Sequence, residues 1–96
     1  YPAVYFAMAS CHRRLKQYKE ALVLYHQARA DKGSAPEATK QIAETYEQSG
    51  ARENAIKWFQ QTCKLYPKTS QASRAHAHLQ SKYKISVTLG GANEKK

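Results

Sequence analysis

The chain has 96 residues, of which 42% are hydrophobic, and a formal net charge of +9, which allows one small domain with a modest core. No apolar run approaches the roughly 20 residues of a membrane-spanning helix, no secretory signal peptide is recognisable, and two cysteines are too few for a disulfide framework. We expect an intracellular, cytoplasmic protein with two buried, reduced thiols. Because the chain begins with tyrosine rather than methionine, we also expect it to be a piece of a longer protein.

Two helices are predicted in the first third of the chain. Proline suits the first turn of a helix, where its missing N–H costs nothing, so the first helix is expected at 2–14. Its apolar residues recur at spacings of four and three: Val4, Met8 and Cys11. After a break at 15–17, a second helix is expected at 18–30, followed by a loop in which Gly33 can adopt a left-handed conformation.

The rest of the chain predicts three further helices. One is expected at 36–48, where Gly50 ends it because glycine adopts a positive φ at least cost. The next spans 52–65 and stops before Pro67, which cannot continue a helical ladder. The last is expected at 70–84.

The end of the chain has a different pattern. Residues 85–89 alternate in the manner of a strand, but no neighbouring segment offers a partner strand. We expect a flexible tail at 85–96.

A period of 34 residues runs through the helical part of the sequence. Residues of the first third recur 34 positions later as identical residues: Pro2 and Pro36, Ala9 and Ala43, Ala21 and Ala55. Such a period indicates stacked helix pairs, each too small to bury its apolar face alone. Architectures of this kind usually present a surface, so the period favours binding over catalysis.

Helix pairs with this period resemble the tetratricopeptide repeat. The second unit carries the family's pattern in order: Ile42, Ala43, Tyr46, Gly50, Ala55, Phe59 and Pro67. The first unit matches at Tyr5, Met8, Ala9, Ala21, Tyr25 and Ala28, and a third begins at Ala77. The resemblance implies an all-α, right-handed helix-pair solenoid over residues 1–84, with repeats at about 2–35 and 36–69 and a capping helix at about 70–84.

Four positions depart from the family's pattern. His12 stands where tyrosine is usual, Thr39 where a large aromatic is usual, and Thr62 where alanine is usual. Lys16 occupies the place of the turn glycine, which predicts a differently shaped first turn or a cost of roughly 1 kcal/mol.

The resemblance also implies where a partner would bind, since first-helix side chains of this family line the concave surface. Transferred by position, the candidate groove residues are Phe6, Ser10, Arg13, Arg14, Glu37, Lys40, Gln41, Glu44, Glu47, Gln71, Arg74 and His78. We expect a non-catalytic module that docks a protein or peptide in this groove.

Charge suggests how the groove residues would divide their roles. Arg13, Arg14 and Arg74 are expected to pair with acidic groups of the partner, and Glu44 and Glu47 with a basic one. Phe6 is expected to offer apolar contact. Mixed charges favour orientation and specificity over raw affinity.

One subfamily of the repeat holds the terminal carboxylate of chaperone tails with a clamp of lysine, asparagine and arginine. Its clamp positions fall here at Phe6, Ser10, Gln41, Gln71 and Ala75. A carboxylate needs positive charge to offset its desolvation, and these residues supply none. We therefore expect no clamp of this type.

The sequence offers little for metal, cofactor or catalytic chemistry. His76 and His78 are two residues apart, a spacing at which helical side chains diverge and do not share an ion easily. No glycine-rich phosphate loop is present, and no nucleophile has an oriented base at a suitable spacing. We expect neither a metal nor a cofactor, and no enzyme.

Three alternatives for the partner stay open. The basic charge permits RNA or DNA binding, although the excess lies in the outer thirds and is interrupted by Glu37, Glu44, Glu47 and Glu53. The chain could be a stacking unit inside a multi-subunit assembly. The apolar first helix could be covered by an upstream helix or could mediate self-association.

Overall fold

The computed structural model describes residues 2–83, which form five α-helices and one π-helical segment without a strand. The elements are α1 Pro2–Arg14, α2 Tyr18–Ala28, α3 Ala35–Ser49, α4 Arg52–Leu65, α5 Ser70–His78 and the π segment Leu79–Tyr83. Consecutive helices contact one another, and α3 also contacts α5. The predicted all-α fold of helix pairs is confirmed, and the right-handed curvature stays a prediction.

The predicted helix bounds are correct for α1 and α4 and differ elsewhere. The second helix ends at Ala28, two residues before the predicted end, because a turn begins at Arg29. The fifth helix changes to π geometry at Leu79. The end of this helix that we predicted at Lys84 and the tail predicted at 85–96 lie outside the described residues.

Local chemistry fixes the ends of several helices. Pro36 lies in the first turn of α3, and Gly50 ends that helix with a φ of 94°. Lys16 has a φ of 63° in the turn between α1 and α2, so a lysine adopts the left-handed conformation that glycine adopts in the second unit. The hydroxyl of Thr69 accepts a hydrogen bond from the N–H of Ala72 at 3.2 Å and caps α5.

The alanines of the 34-residue period allow the close approach of paired helices. Ala9, Ala21, Ala43 and Ala55 are all 0% exposed. One core cluster lies between α1, α2 and α3 and contains Ala9, Ala21, Tyr25 and Ile42. The other lies between α3, α4 and the C-terminal helix and contains Ala43, Ala55, Phe59, Cys63, Ala75 and Leu79. Tyr46 and Trp58 contact both clusters and join them.

The two threonines that depart from the family pattern are buried without leaving an unpaired hydroxyl. Thr39 donates to the carbonyl oxygen of Ala35 at 2.7 Å, and Thr62 donates to that of Trp58 at 2.9 Å. Because a buried hydroxyl is costly only when it has no partner, both threonines fit the interior.

The prediction of two buried thiols is wrong for one of them. Cys11 is exposed, whereas Cys63 is fully buried. Burial raises the pKa of the Cys63 thiol, and its sulfur donates to the carbonyl oxygen of Ala72 at 3.4 Å. Cys11 is exposed because it lies on the face of α1 that no other helix of residues 2–83 covers, as do Val4 and Met8, which are 50% and 46% exposed.

Candidate binding groove

A chain of side-chain hydrogen bonds joins α1, α3 and α5, each of which is the first helix of its repeat. The guanidinium of Arg13 donates to Gln41 Oε1 at 2.6 Å, and Gln41 Nε2 donates to Glu37 Oε2 at 2.6 Å. Gln71 Nε2 donates to the other oxygen of Glu37 at 2.9 Å. Burial alone would raise the pKa of Glu37, but the bonds from Gln71 and Gln41 and the nearby Lys40 outweigh burial and lower it.

Beside this chain of hydrogen bonds lies a cavity of about 590 Å³. Its lining residues are Arg13, Lys40, Glu44, Glu47, Gln48, Phe59, Arg74, Ala75, His78 and Lys82. Four basic side chains and two carboxylates line it, so the cavity carries a positive balance. We call this cavity the groove.

Both carboxylates of the groove already have cationic neighbours within the chain. Lys40 Nζ donates to Glu44 Oε2 at 2.9 Å, and a guanidinium nitrogen of Arg13 lies 3.9 Å from Glu44 Oε1. Glu47 Oε2 lies 2.7 Å from His78 Nε2 and 3.3 Å from Lys82 Nζ. A basic group of a partner would therefore have to compete with these internal contacts in order to pair with Glu44 or Glu47.

Glu47 also holds the π segment against α3. The hydroxyl of Tyr83 donates to Glu47 Oε2 at 2.5 Å. Burial would raise the pKa of Glu47, but its hydrogen bonds to Tyr83 and His78, the charge of His78 and the hydrogen bond from Lys82 outweigh burial and lower it. The same contact acts on Tyr83 in the opposite direction: burial and the Glu47 carboxylate raise the pKa of Tyr83 to about 12.

Arg74 is the groove cation with the fewest internal partners. Its side chain is exposed on α5, and no carboxylate of residues 2–83 forms an ion pair with it. A solvated guanidinium at the edge of a cavity is available to a carboxylate of another molecule, which it can bind through two parallel hydrogen bonds.

The twelve predicted groove residues fall into four sets in the structure. Six of them line the groove: Arg13, Lys40, Glu44, Glu47, Arg74 and His78. Glu37, Gln41 and Gln71 form the hydrogen-bond chain beside it. Ser10 and Arg14 are exposed and do not line it. Phe6 is half-buried, with its ring 5.9 Å from that of Tyr25.

Four lining residues were missed by the sequence argument. Lys82 follows Arg74 and His78 at the helical spacing of four, and this spacing could have revealed it. Gln48 follows Glu44 at the same spacing and accepts from Arg13 Nε at 3.0 Å. Phe59 was named only as part of the family's pattern and Ala75 only as a clamp position; both are buried apolar residues that line the groove.

The two neighbouring histidines have different surroundings, as their spacing predicts. His78 pairs with Glu47, whereas Nδ1 of His76 is buried without a hydrogen-bond partner. Among residues 2–83, no group of three or more metal-ligating side chains converges.

Trp58 belongs to the contact between the two helix pairs. The guanidinium of Arg29 lies 5.0 Å from the centre of its ring, and the ring of His26 meets it edge-on at 5.4 Å. Trp58 is partly buried, and these contacts give it a packing role between the helix pairs. This weakens the argument that its ring stacks on a nucleic-acid base.

Comparison with known proteins decides the family. A family model of the tetratricopeptide repeat matches residues 1–79. The chain belongs to the tetratricopeptide repeat family. Such repeats are generally non-catalytic protein-interaction modules. No curated protein and no solved structure matches the chain. In the described part of this tetratricopeptide repeat protein, no helix is long and apolar enough to cross a membrane.

Proposed function

We propose that this chain is a non-catalytic interaction module, formed by repeats at 2–35 and 36–69 and a capping helix from residue 70, that binds an acidic segment of a protein partner in the groove. The observation that carries the proposal is the charge of the groove: within residues 2–83 both of its carboxylates have partners in the chain, while Arg74 has no carboxylate partner.

The arrangement favours an acidic partner for a physical reason. Lys40 is only 7% exposed, and its ammonium lies between Glu44 and Glu37. A partner's basic group would have to displace such a cation, whereas a partner's carboxylate can add to Arg74 without breaking a bond. The partly buried hydrogen-bond chain holds Arg13 in place, so this cationic side chain is preorganised and costs little to order on binding.

The two neighbouring arginines of α1 have different surroundings. Arg13 bonds Gln41, Gln48 and Glu44 across the groove wall, whereas Arg14 is exposed and does not line the groove. Replacing Arg13 would disturb the wall itself. Arg74 is therefore the better position for a test, and Arg14 is its matched control.

The test measures fluorescence anisotropy of a labelled peptide that alternates glutamate with leucine, compared with one that alternates glutamine with leucine. We expect only the glutamate peptide to bind. Arg74→Glu should weaken binding at least about tenfold, the loss of one charge-assisted contact, and Arg14→Glu less than about twofold.

Two outcomes would contradict the proposal. Equal losses with both variants would show that the peptide responds to overall charge and not to the groove. Tighter binding of polyuridylate than of the glutamate peptide, with a steep salt dependence, would favour a nucleic-acid surface instead.

We also propose a cytoplasmic location. Cys11 and Cys63 are free thiols, which fits a reducing compartment. Detection of the tagged protein outside the cell would contradict this.

A further inference from the structure

The face of α3 that receives α2 is fully buried. Ile42 packs with Ala21 and Tyr25 in the first core cluster. Ala38 and Thr45 lie four residues before and three residues after Ile42, on the same side of the helix. All three α3 residues are 0% exposed, so α2 and its neighbours remove this face from water completely.

The same positions on α1 face the solvent. Counting back by the 34-residue period, Ala38, Ile42 and Thr45 correspond to Val4, Met8 and Cys11. Val4 is 50% exposed, Met8 is 46% exposed and Cys11 is exposed. Val4 and Cys11 are more apolar than Ala38 and Thr45, and Met8 is a large apolar residue as Ile42 is. No helix of residues 2–83 lies against these three side chains. We call these three residues the α1 face.

The third copy of this face is covered, as the copy on α3 is. The corresponding residues are Ala72 and His76 on α5 and Leu79 at the start of the π segment. Ala72 and Leu79 are 0% exposed and His76 is half-buried, where α4 packs on α5. The face is thus covered wherever a second helix precedes it.

We propose that the α1 face binds an amphipathic helix with the chemistry of α2, one that presents small, aromatic and small residues at the spacing of Ala21, Tyr25 and Ala28. The interface would continue the α2–α3 contact by one period. A second copy of this chain is a poorer occupant in a parallel pairing, because the last turn of α1 carries His12, Arg13 and Arg14 and two such helix ends would then lie together and repel each other.

The test adds residues 17–34 of this chain directly before Tyr1 of the full chain. Because residue 35 is the period equivalent of residue 1, the added segment is joined to α1 as α2 is joined to α3. We expect the Tm to rise by at least about 5 °C. We also expect the reaction of Cys11 with a disulfide reagent to slow at least about tenfold, since access controls thiol exchange and Thr45 is fully buried at the equivalent place.

Matched variants separate the interface from a general effect of the extension. Within the added copy, Tyr25→Glu should abolish both changes, whereas Val23→Glu should retain them because Val23 is 57% exposed in α2. In the original chain Met8→Glu should move the Tm by less than about 2 °C, since surface substitutions are nearly neutral. In the extended chain Met8→Glu should remove the gain.

Several results would overturn the proposal. One is an extension that leaves the Tm and the reactivity of Cys11 unchanged. Another is a gain that survives Met8→Glu, since the added helix would then lie elsewhere. A third is sedimentation of the original chain as a dimer that Met8→Glu dissociates, since a second copy would then occupy the α1 face.

Discussion

Glu47 offers the sharpest test of how the groove is held together. Its carboxylate receives Tyr83, His78 and Lys82, three side chains from the C-terminal end of the described chain. Glu47→Gln keeps the size of the side chain and removes its charge. The contact with Lys82 counts for little because that side chain is 54% exposed.

The expected loss comes mainly from the two shorter contacts. Charge-assisted hydrogen bonds contribute about 1.5–3 kcal/mol when buried, and partial solvent access at His78, which is 35% exposed, reduces this. Glutamine can still accept one of the bonds through its carbonyl. We therefore expect Glu47→Gln to lower the free energy of unfolding by about 1.5 kcal/mol, a fall in Tm of about 6–12 °C for a domain of this size.

The difference should depend on pH in one direction. The pKa of Glu47 is lower in the folded chain than its ordinary value of 4.5, so the carboxylate stabilises the fold above that pH and loses this effect as the pH falls through the folded pKa. Urea unfolding followed by circular dichroism should show that the parent is more stable than Glu47→Gln at pH 7 and that this difference narrows steadily as the pH falls below 4.5.

Glu53→Gln is the matched control because Glu53 is exposed in the first turn of α4. Its loss should stay within about 0.5 kcal/mol, the usual effect of a charge near a helix end. If the two variants lose the same amount, or if the deficit of Glu47→Gln persists unchanged at acid pH, the cluster around Glu47 does not stabilise the fold as described.

Two further predictions concern the turns and the alkaline range. Lys16→Gly should raise the free energy of unfolding by about 0.5–1 kcal/mol, because glycine adopts the positive φ of this turn without strain. Gly50→Ala should lower it by about 1–2 kcal/mol through backbone strain alone, since an added Cβ meets nothing within 4 Å. Thermal unfolding of the two variants measures both changes. The pKa of Tyr83 is raised to about 12, so its stabilisation should be lost as the pH rises from about 10 towards 12, and Tyr83→Phe should unfold with a weaker pH dependence there.

The sequence was sufficient to predict the helices and their close contacts. Proline and glycine act on their own backbone, so Pro36 and Gly50 indicate helix ends without knowledge of the fold. The alanines at Ala43 and Ala55 recur with the period, and a period of this length needs a repeated contact between paired helices. These signals are local or repeated, so they can be recognised in the sequence without knowledge of the three-dimensional structure.

The state of the groove could not be predicted in the same way. The family resemblance assigned Glu44 and Glu47 to the groove, but their partners Arg13 and His78 come from other helices, 31 residues away in each case. Which cation reaches which carboxylate depends on the distances between helices, and a period alone does not give these. The exposure of Arg74 therefore became clear only from the structure.

Burial in this fold depends on neighbours more than on residue type. The small position of the repeat occurs three times, and Ala9 and Ala43 are 0% exposed while Ala77 is exposed. At the large position just before it, the exposed residue lies at the other end of the described helices: Met8 of α1 is 46% exposed, whereas Ile42 is 0% exposed. An exposed alanine leaves little apolar surface in water, whereas exposed methionine and valine leave much more. The two ends of the described helices thus differ in exposed apolar surface. Covering the larger apolar surface of α1 would gain more hydrophobic free energy, which is why we propose that a helix binds there.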